Sequence, residues 1–215
     1  MSARAELLAA REATQRALEA LDAALAALPA QPANDGSRKV PACGLELIKR
    51  FEGLHDGDKA TPLLLEPQAD PVGIYTVGWG YALFQNGKAV TDKALALKIW
   101  KERWPSGFTR ADADALLATV AQDVCNRVLR LLPNLTLSDN ELGALVSLAY
   151  NIGVGEEGGA DDFADSTVRK RLLAGDRKGA ADAFMMWNKG RVNGKLVVLA
   201  GLDNRRKAER ALFLS

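Results

Sequence analysis

The 215-residue chain has a single histidine, His55, and only two cysteines, Cys43 and Cys125. With no Cys-x-x-Cys or His-Glu-x-x-His spacing among them, there is no ligand set for a zinc ion, and neither a metal nor a cofactor is expected. A Gly-x-Ser-x-Gly elbow and a Walker-type phosphate loop are also missing. A Cys–His nucleophile pair is formally open, but both cysteines fall on apolar faces of expected helices, where a buried inert thiol is the commoner outcome. Charge of one sign is lacking too: 28 basic against 27 acidic residues leave a net charge of +1, and nothing in that balance points to nucleic acid. No uninterrupted apolar run has the length of a signal-peptide core or a membrane span, so neither export nor stable membrane insertion is expected.

What is present begins with "MSARAELLAAREATQRALEALDAALAALPAQP", rich in alanine and leucine. Leu18, Leu21, Leu25 and Leu28 fall at heptad spacing and predict one apolar stripe on a helix ending near Pro29. Such a stripe serves a helix packed on its own domain, a self-association helix or an envelope-contacting helix. The Pro, Asn, Asp, Gly and Ser content of "PAQPANDGSRKVP" marks a linker. Residues 1–40 are therefore expected to form an amphipathic helix and linker, and residues 41–215 the main domain.

In "GLELIKRFEG", Leu45, Ile48 and Phe51 lie close to one helical face, with Gly53 as the carboxyl-terminal cap. Further helices are expected over 91–103, 109–132, 138–151, 166–174, 176–188 and 202–213. Ser138 and Glu141 form a capping box ahead of "LGALVSLAY". The fold class is mainly α with one small β region.

That β region is "GIYTVGWGYAL". Its alternation predicts Tyr75, Val77, Trp79 and Tyr81 on one face, and Thr76, Gly78 and Gly80 on the other, where a ligand could approach the backbone. A hairpin with glycines at its bends is the purely structural alternative. Two acids flank it. Glu52 ends a helix, where the negative dipole end and partial burial beside Phe51 disfavour the carboxylate, as a general acid requires. Asp70, in a polar turn, should stay ionised. Two carboxyls with divergent environments beside a groove suit glycoside hydrolysis, although spacing alone does not select it.

The ordered segments "ELIKRFEGL", "DPVGIYTVGWGYAL", "LSDNELGALVSLAYNIGVG", "STVRKRLLAGD", "AADAFMMWNKG" and "GLDNRRKAERALFL" together resemble the phage-type lysozymes, or endolysins, over residues 44–215. The resemblance implies an α+β lysozyme-like fold, a β-hairpin lobe and a helical lobe flanking a cleft. It implies cleavage of the β-1,4 bond between N-acetylmuramic acid and N-acetylglucosamine in the glycan strands of peptidoglycan, and host lysis for phage release. By the same resemblance Glu52 is the proton donor, Asp70 handles water or positive charge, and Thr76 orients that water. Gly78, Trp79, Gly80, Tyr81, Asn151 and Arg205 are the expected substrate-binding residues, and Arg205 should approach Glu52. The enzyme would wait in the host cytoplasm and reach the periplasmic wall after membrane permeabilisation.

Two departures stand out. Seventeen residues separate Glu52 from Asp70, more than the family has, and "DGDKATPLLLEPQ" reads as an insertion looping away from the groove. Asp58 and Glu66 become rival second carboxylates, with the six-residue step from Asp70 to Thr76 favouring Asp70. Tyr81 stands where the family's strand commonly ends in histidine, so a hydrogen bond is kept and a charged pair is lost. Residues 187–215 carry seven basic residues against two acidic ones, a bias that can steer an anionic polymer. A non-hydrolytic transglycosylase and a wall-binding module with a decayed site are the competing classes.

Overall fold

The computed structural model describes residues 38–57, 64–70, 72–156, 158–159, 162–192 and 194–215. The expected amino-terminal helix and most of its linker lie outside the described residues, as does Asp58. Helix α1 spans Ala42–Glu52. A three-stranded antiparallel sheet follows, β1 Gln68–Ala69, β2 Tyr75–Val77 and β3 Tyr81–Ala82 in that order, with Thr76 opposite both Gln68 and Ala82. A short hairpin of β4 Phe84–Gln85 and β5 Lys88–Ala89 continues it. Then come α2 Lys93–Arg103, α3 Arg110–Leu131, α4 Asp139–Ile152, α5 Thr167–Leu173 and α6 Arg177–Ala183. A 3-10 turn, Phe184–Trp187, leads into the β6 Lys189–Val192 and β7 Lys195–Val198 hairpin, and α7 Ala200–Phe213 closes the chain. No helix among the described residues is long and apolar enough to cross a membrane.

The core is organised around α4, buried on every side from Leu142 to Ala149 and packed against α1, α3 and α7. A helix without a polar stripe must be enclosed in this way. Its start is fixed by the expected capping box, Ser138 taking the Glu141 amide and Glu141 returning a bond to Ser138. The same device, Thr109 with Asp112, starts α3. In α1 the buried face runs through Gly44, Leu47 and Ile48, whereas Phe51 is half-buried beneath the guanidiniums of Arg50 and Arg205. At the α1 terminus, the Gly53 amide bonds the Lys49 carbonyl with φ at 73°.

Three expectations needed revision. The alternating strand breaks after Val77: Gly78, Trp79 and Gly80 form the turn of a hairpin, and Val77 pairs with Tyr81. Positive φ at both glycines prevents a continuous period of two. The second half of the insertion does not loop away, because Leu65 is buried in the core and its amide bonds the Phe108 carbonyl at 2.7 Å. The helix expected over 176–188 divides into α6 and the 3-10 turn, and the exposed β6–β7 hairpin after it was not anticipated.

Candidate active site

Glu52 is the last residue of α1, and the chain leaves the helix there because Gly53 adopts a conformation that does not continue it. One carboxylate oxygen, Oε1, accepts from Arg205 Nη1 at 2.6 Å, as expected for that pair. The other, Oε2, faces Gly80, where a β-carbon would stand 3.1 Å away. A residue larger than glycine at position 80, already strained by φ of 79°, would crowd the carboxylate. Gly78 meets a different constraint, since its missing side chain makes room for Ala113 and Phe108.

Arg205 is held by more than Glu52. Its Nε donates to Glu209 Oε1 at 3.1 Å and its Nη2 to the Ser147 carbonyl at 3.2 Å. Glu209 Oε1 also accepts from Ser147 Oγ at 2.7 Å and from Arg206 Nη2 at 2.9 Å, while Arg206 Nε lies 2.7 Å from Oε2. All three α7 side chains are buried. Burial pushes the Glu209 carboxyl up and the Arg206 guanidinium down, and the opposite charges resist both shifts. The Arg205 charge is therefore shared between two carboxylates, and its direction is set by α4 and α7 together. Tyr150, at the far end of α4, donates its hydroxyl to the Trp79 carbonyl at 3.2 Å. Burial, with the Glu52 charge adding and Arg205 opposing, pushes its phenol up to about 12.

On the sheet, Asp70 shapes the turn between β1 and β2. Its Oδ1 accepts from the amides of Val72 and Ile74 at 2.9 and 2.8 Å, while Oδ2 makes no hydrogen bond among the described residues. Thr76, in β2, is nearly buried, and its hydroxyl lies 2.7 Å from His55 Nδ1 and 3.2 Å from the Gln68 carbonyl. His55 is tied back to the same hairpin, its amide bonding the Gly78 carbonyl at 2.7 Å. No direct bond joins Glu52 to Asp70. The two belong to one framework through Gly80 over Glu52, His55 on Gly78 and Thr76, and the β1–β2 pairing that ends at Asp70.

The remaining expected residues divide. Trp79 is buried, with Nε1 donating to Asp114 at 2.8 Å and the cations of Lys49 and Arg110 at 5.6 and 5.3 Å from its ring. Burial opposes the Asp114 charge, but bonds from Lys49 and Trp79 and the nearby cations hold that carboxyl below its usual range. Tyr81 accepts from Arg103 at 3.1 Å and stacks under the same guanidinium, a cation contact in place of a histidine's charged pair. Asn151 is exposed in the last turn of α4. Of the rival acids, Glu66 lies beside buried Leu65 and its amide approaches Asp56 Oδ1 at 3.4 Å. Sequence reasoning missed His55, Ser147, Tyr150 and Glu209; only the four-residue step from Arg205 to Glu209 carried a local signal.

Known proteins resemble this chain in sequence and fold. The Phage lysozyme family model matches residues 58–209. The endolysin of Acyrthosiphon pisum secondary endosymbiont phage 1 is 33% identical over 173 residues, which is 80% of this chain and 95% of that one. An endolysin from Escherichia coli O157:H7 phage FAHEc1 superposes with a TM-score of 0.63 at 32% identity, covering 84% of this chain and 96% of that one. The muramidase domain of SpmX from Asticaccaulis excentricus superposes with a TM-score of 0.60 at 31% identity, covering 83% and 99%. With the hairpin lobe, the enclosed α4 and matches of this extent, the chain belongs to the phage lysozyme family.

Proposed function

We propose that this lysozyme-type hydrolase is an endolysin that cleaves the β-1,4 bond between N-acetylmuramic acid and N-acetylglucosamine in peptidoglycan, lysing the host for phage release. The observation that carries the reading is Glu52, whose Oε1 is anchored by buried Arg205 while Oε2 faces Gly80, which has no side chain to crowd it. An acid held in this manner can deliver its proton along one direction, to a glycosidic oxygen lying beside the hairpin turn. Asp70 has one oxygen engaged by its own turn and one without a hydrogen bond among the described residues, which suits activation of a water or stabilisation of positive charge at the anomeric carbon. Thr76 supplies the hydroxyl that orients the water. This division of roles supports inversion at the anomeric carbon, since a bound water must fit between the sugar and the second carboxylate. The similarity to an SpmX muramidase domain supports the choice of bond.

Turbidity of purified bacterial walls tests the assignment. Wild-type protein should clear them, and Glu52→Gln should lose at least roughly a hundredfold in rate, the lower range for a general acid. Clearing by Glu52→Gln at the native rate would overturn it. The enzyme is placed in the host cytoplasm until a separate protein permeabilises the membrane. Fractionation of cells making this chain alone should find it inside an intact inner membrane, and periplasmic enzyme would contradict that placement.

A further inference from the structure

The lone histidine has a position in the site that the reaction above does not use. His55 Nδ1 lies 2.7 Å from Thr76 Oγ1, and the same hydroxyl lies 3.2 Å from the Gln68 carbonyl. A carbonyl oxygen only accepts, and a threonine hydroxyl has one proton to give. Directing that proton to Gln68 leaves the Thr76 oxygen to accept from His55. The backbone that carries the ring is fixed, since the His55 amide bonds the Gly78 carbonyl at 2.7 Å and forms an isolated bridge there. We infer that His55 is a positioning residue that donates from Nδ1–H to Thr76, fixing the hydroxyl so that one lone pair stays open to the water delivered to the anomeric carbon.

Such a water, giving one hydrogen to Thr76, can turn its second hydrogen toward Asp70 and its free lone pair toward the sugar. With His55 removed, the hydroxyl rotor is no longer committed to Gln68 and the water loses a fixed acceptor. The chemistry slows while glycan binding, made elsewhere in the cleft, does not change. This inference rests on the muramidase reading and on Thr76 as the water-orienting group.

Because the chain has one histidine, an untagged, nitrogen-15-labelled sample gives one imidazole in a long-range proton–nitrogen correlation spectrum. At a pH where the ring is neutral, Nδ1 should carry the proton, and Thr76→Ala should return the ring toward the Nε2–H form that free imidazoles favour. A native ring protonated at Nε2 would overturn the inference without variants. Kinetically, His55→Ala should lower kcat roughly tenfold with KM unchanged, as a misplaced reactant does. His55→Asn, which can present an N–H near the former Nδ1, should recover most of that loss. In a Thr76→Ala background, His55→Ala should add no further loss. If Thr76→Ala slows turnover and His55→Ala does not, the histidine inference fails and the lysozyme reading stands. If Thr76→Ala is itself silent, the water-orienting role falls and takes the inference with it. If His55→Ala does not fold, the ring's protonation in the native chain decides.

Discussion

At the scale of single residues, the site depends on groups that hold other groups. Arg205 touches Glu52, Glu209 and the Ser147 carbonyl while almost fully buried. Arg205→Met removes the charge and leaves Glu209 with Arg206 and the Ser147 hydroxyl but one cation fewer, so a loss of about 3–5 kcal/mol in urea unfolding is expected, the cost of breaking a buried ion pair from one side. A loss below about 1 kcal/mol would show that the pairing contributes little to the native state. For the second carboxylate, Asp70→Asn should impair turnover strongly and Thr76→Ala less so, while Glu66→Gln and Asp58→Asn should change it little. If Asp58→Asn abolishes cleavage and Asp70→Asn is nearly silent, the placement of the second carboxylate is wrong. The resemblance of six ordered segments pointed to Glu52, Asp70, Thr76 and Arg205, and the expected approach of Arg205 to Glu52 is present. The sequence could not reveal Ser147 or Tyr150, which read as ordinary members of an apolar helix and acquire their partners only through packing of elements distant along the chain.

At the scale of elements, the helices were legible because a 3.6-residue period and capping chemistry are local properties. The capping box at Ser138 and Glu141 is present as expected. The hairpin lobe was legible, but the alternation expected to run on from Tyr75 to Tyr81 fails at the turn because period alone does not register the positive φ of Gly78 and Gly80. The β6–β7 hairpin was missed although Asn193-Gly194 between two short runs is a turn signal. Helix α4 carries a testable titration. Burial pushes the Tyr150 phenol up to about 12 in the folded chain, from an ordinary value of 10.0. An unfolded chain then releases its proton first, so stability is retained below pH 10 and is lost as pH rises through the interval to 12, by roughly 2–3 kcal/mol in full. Tyr150→Phe should flatten the fall in denaturation midpoint across that interval. An equally steep fall in the variant would place the alkaline sensitivity elsewhere, with the Cys125 thiol, pushed up to about 11 by burial, as the next group to examine.

At the scale of the whole molecule, the lysozyme-like domain followed from six ordered segments, whereas the path of the insertion did not, because its anchor is Leu65 meeting Phe108 more than forty residues away. The chemistry proposed for the site lies entirely beyond residue 40. Removing residues 1–40 should therefore leave cleavage of a soluble glycan substrate within about twofold of the full chain, the domain retaining its own core. Loss of folding would assign the leucine stripe to that core, and a selective fall in whole-cell lysis would assign it to the envelope. The central claim, hydrolysis at the muramic acid carbon, is tested most directly by digesting purified peptidoglycan, reducing the fragments with borohydride and weighing them. Reduced N-acetylmuramic acid at the new ends, present with the native chain and lost with Glu52→Gln, is the predicted result. Anhydromuramic acid ends, or reduced N-acetylglucosamine in their place, would contradict it.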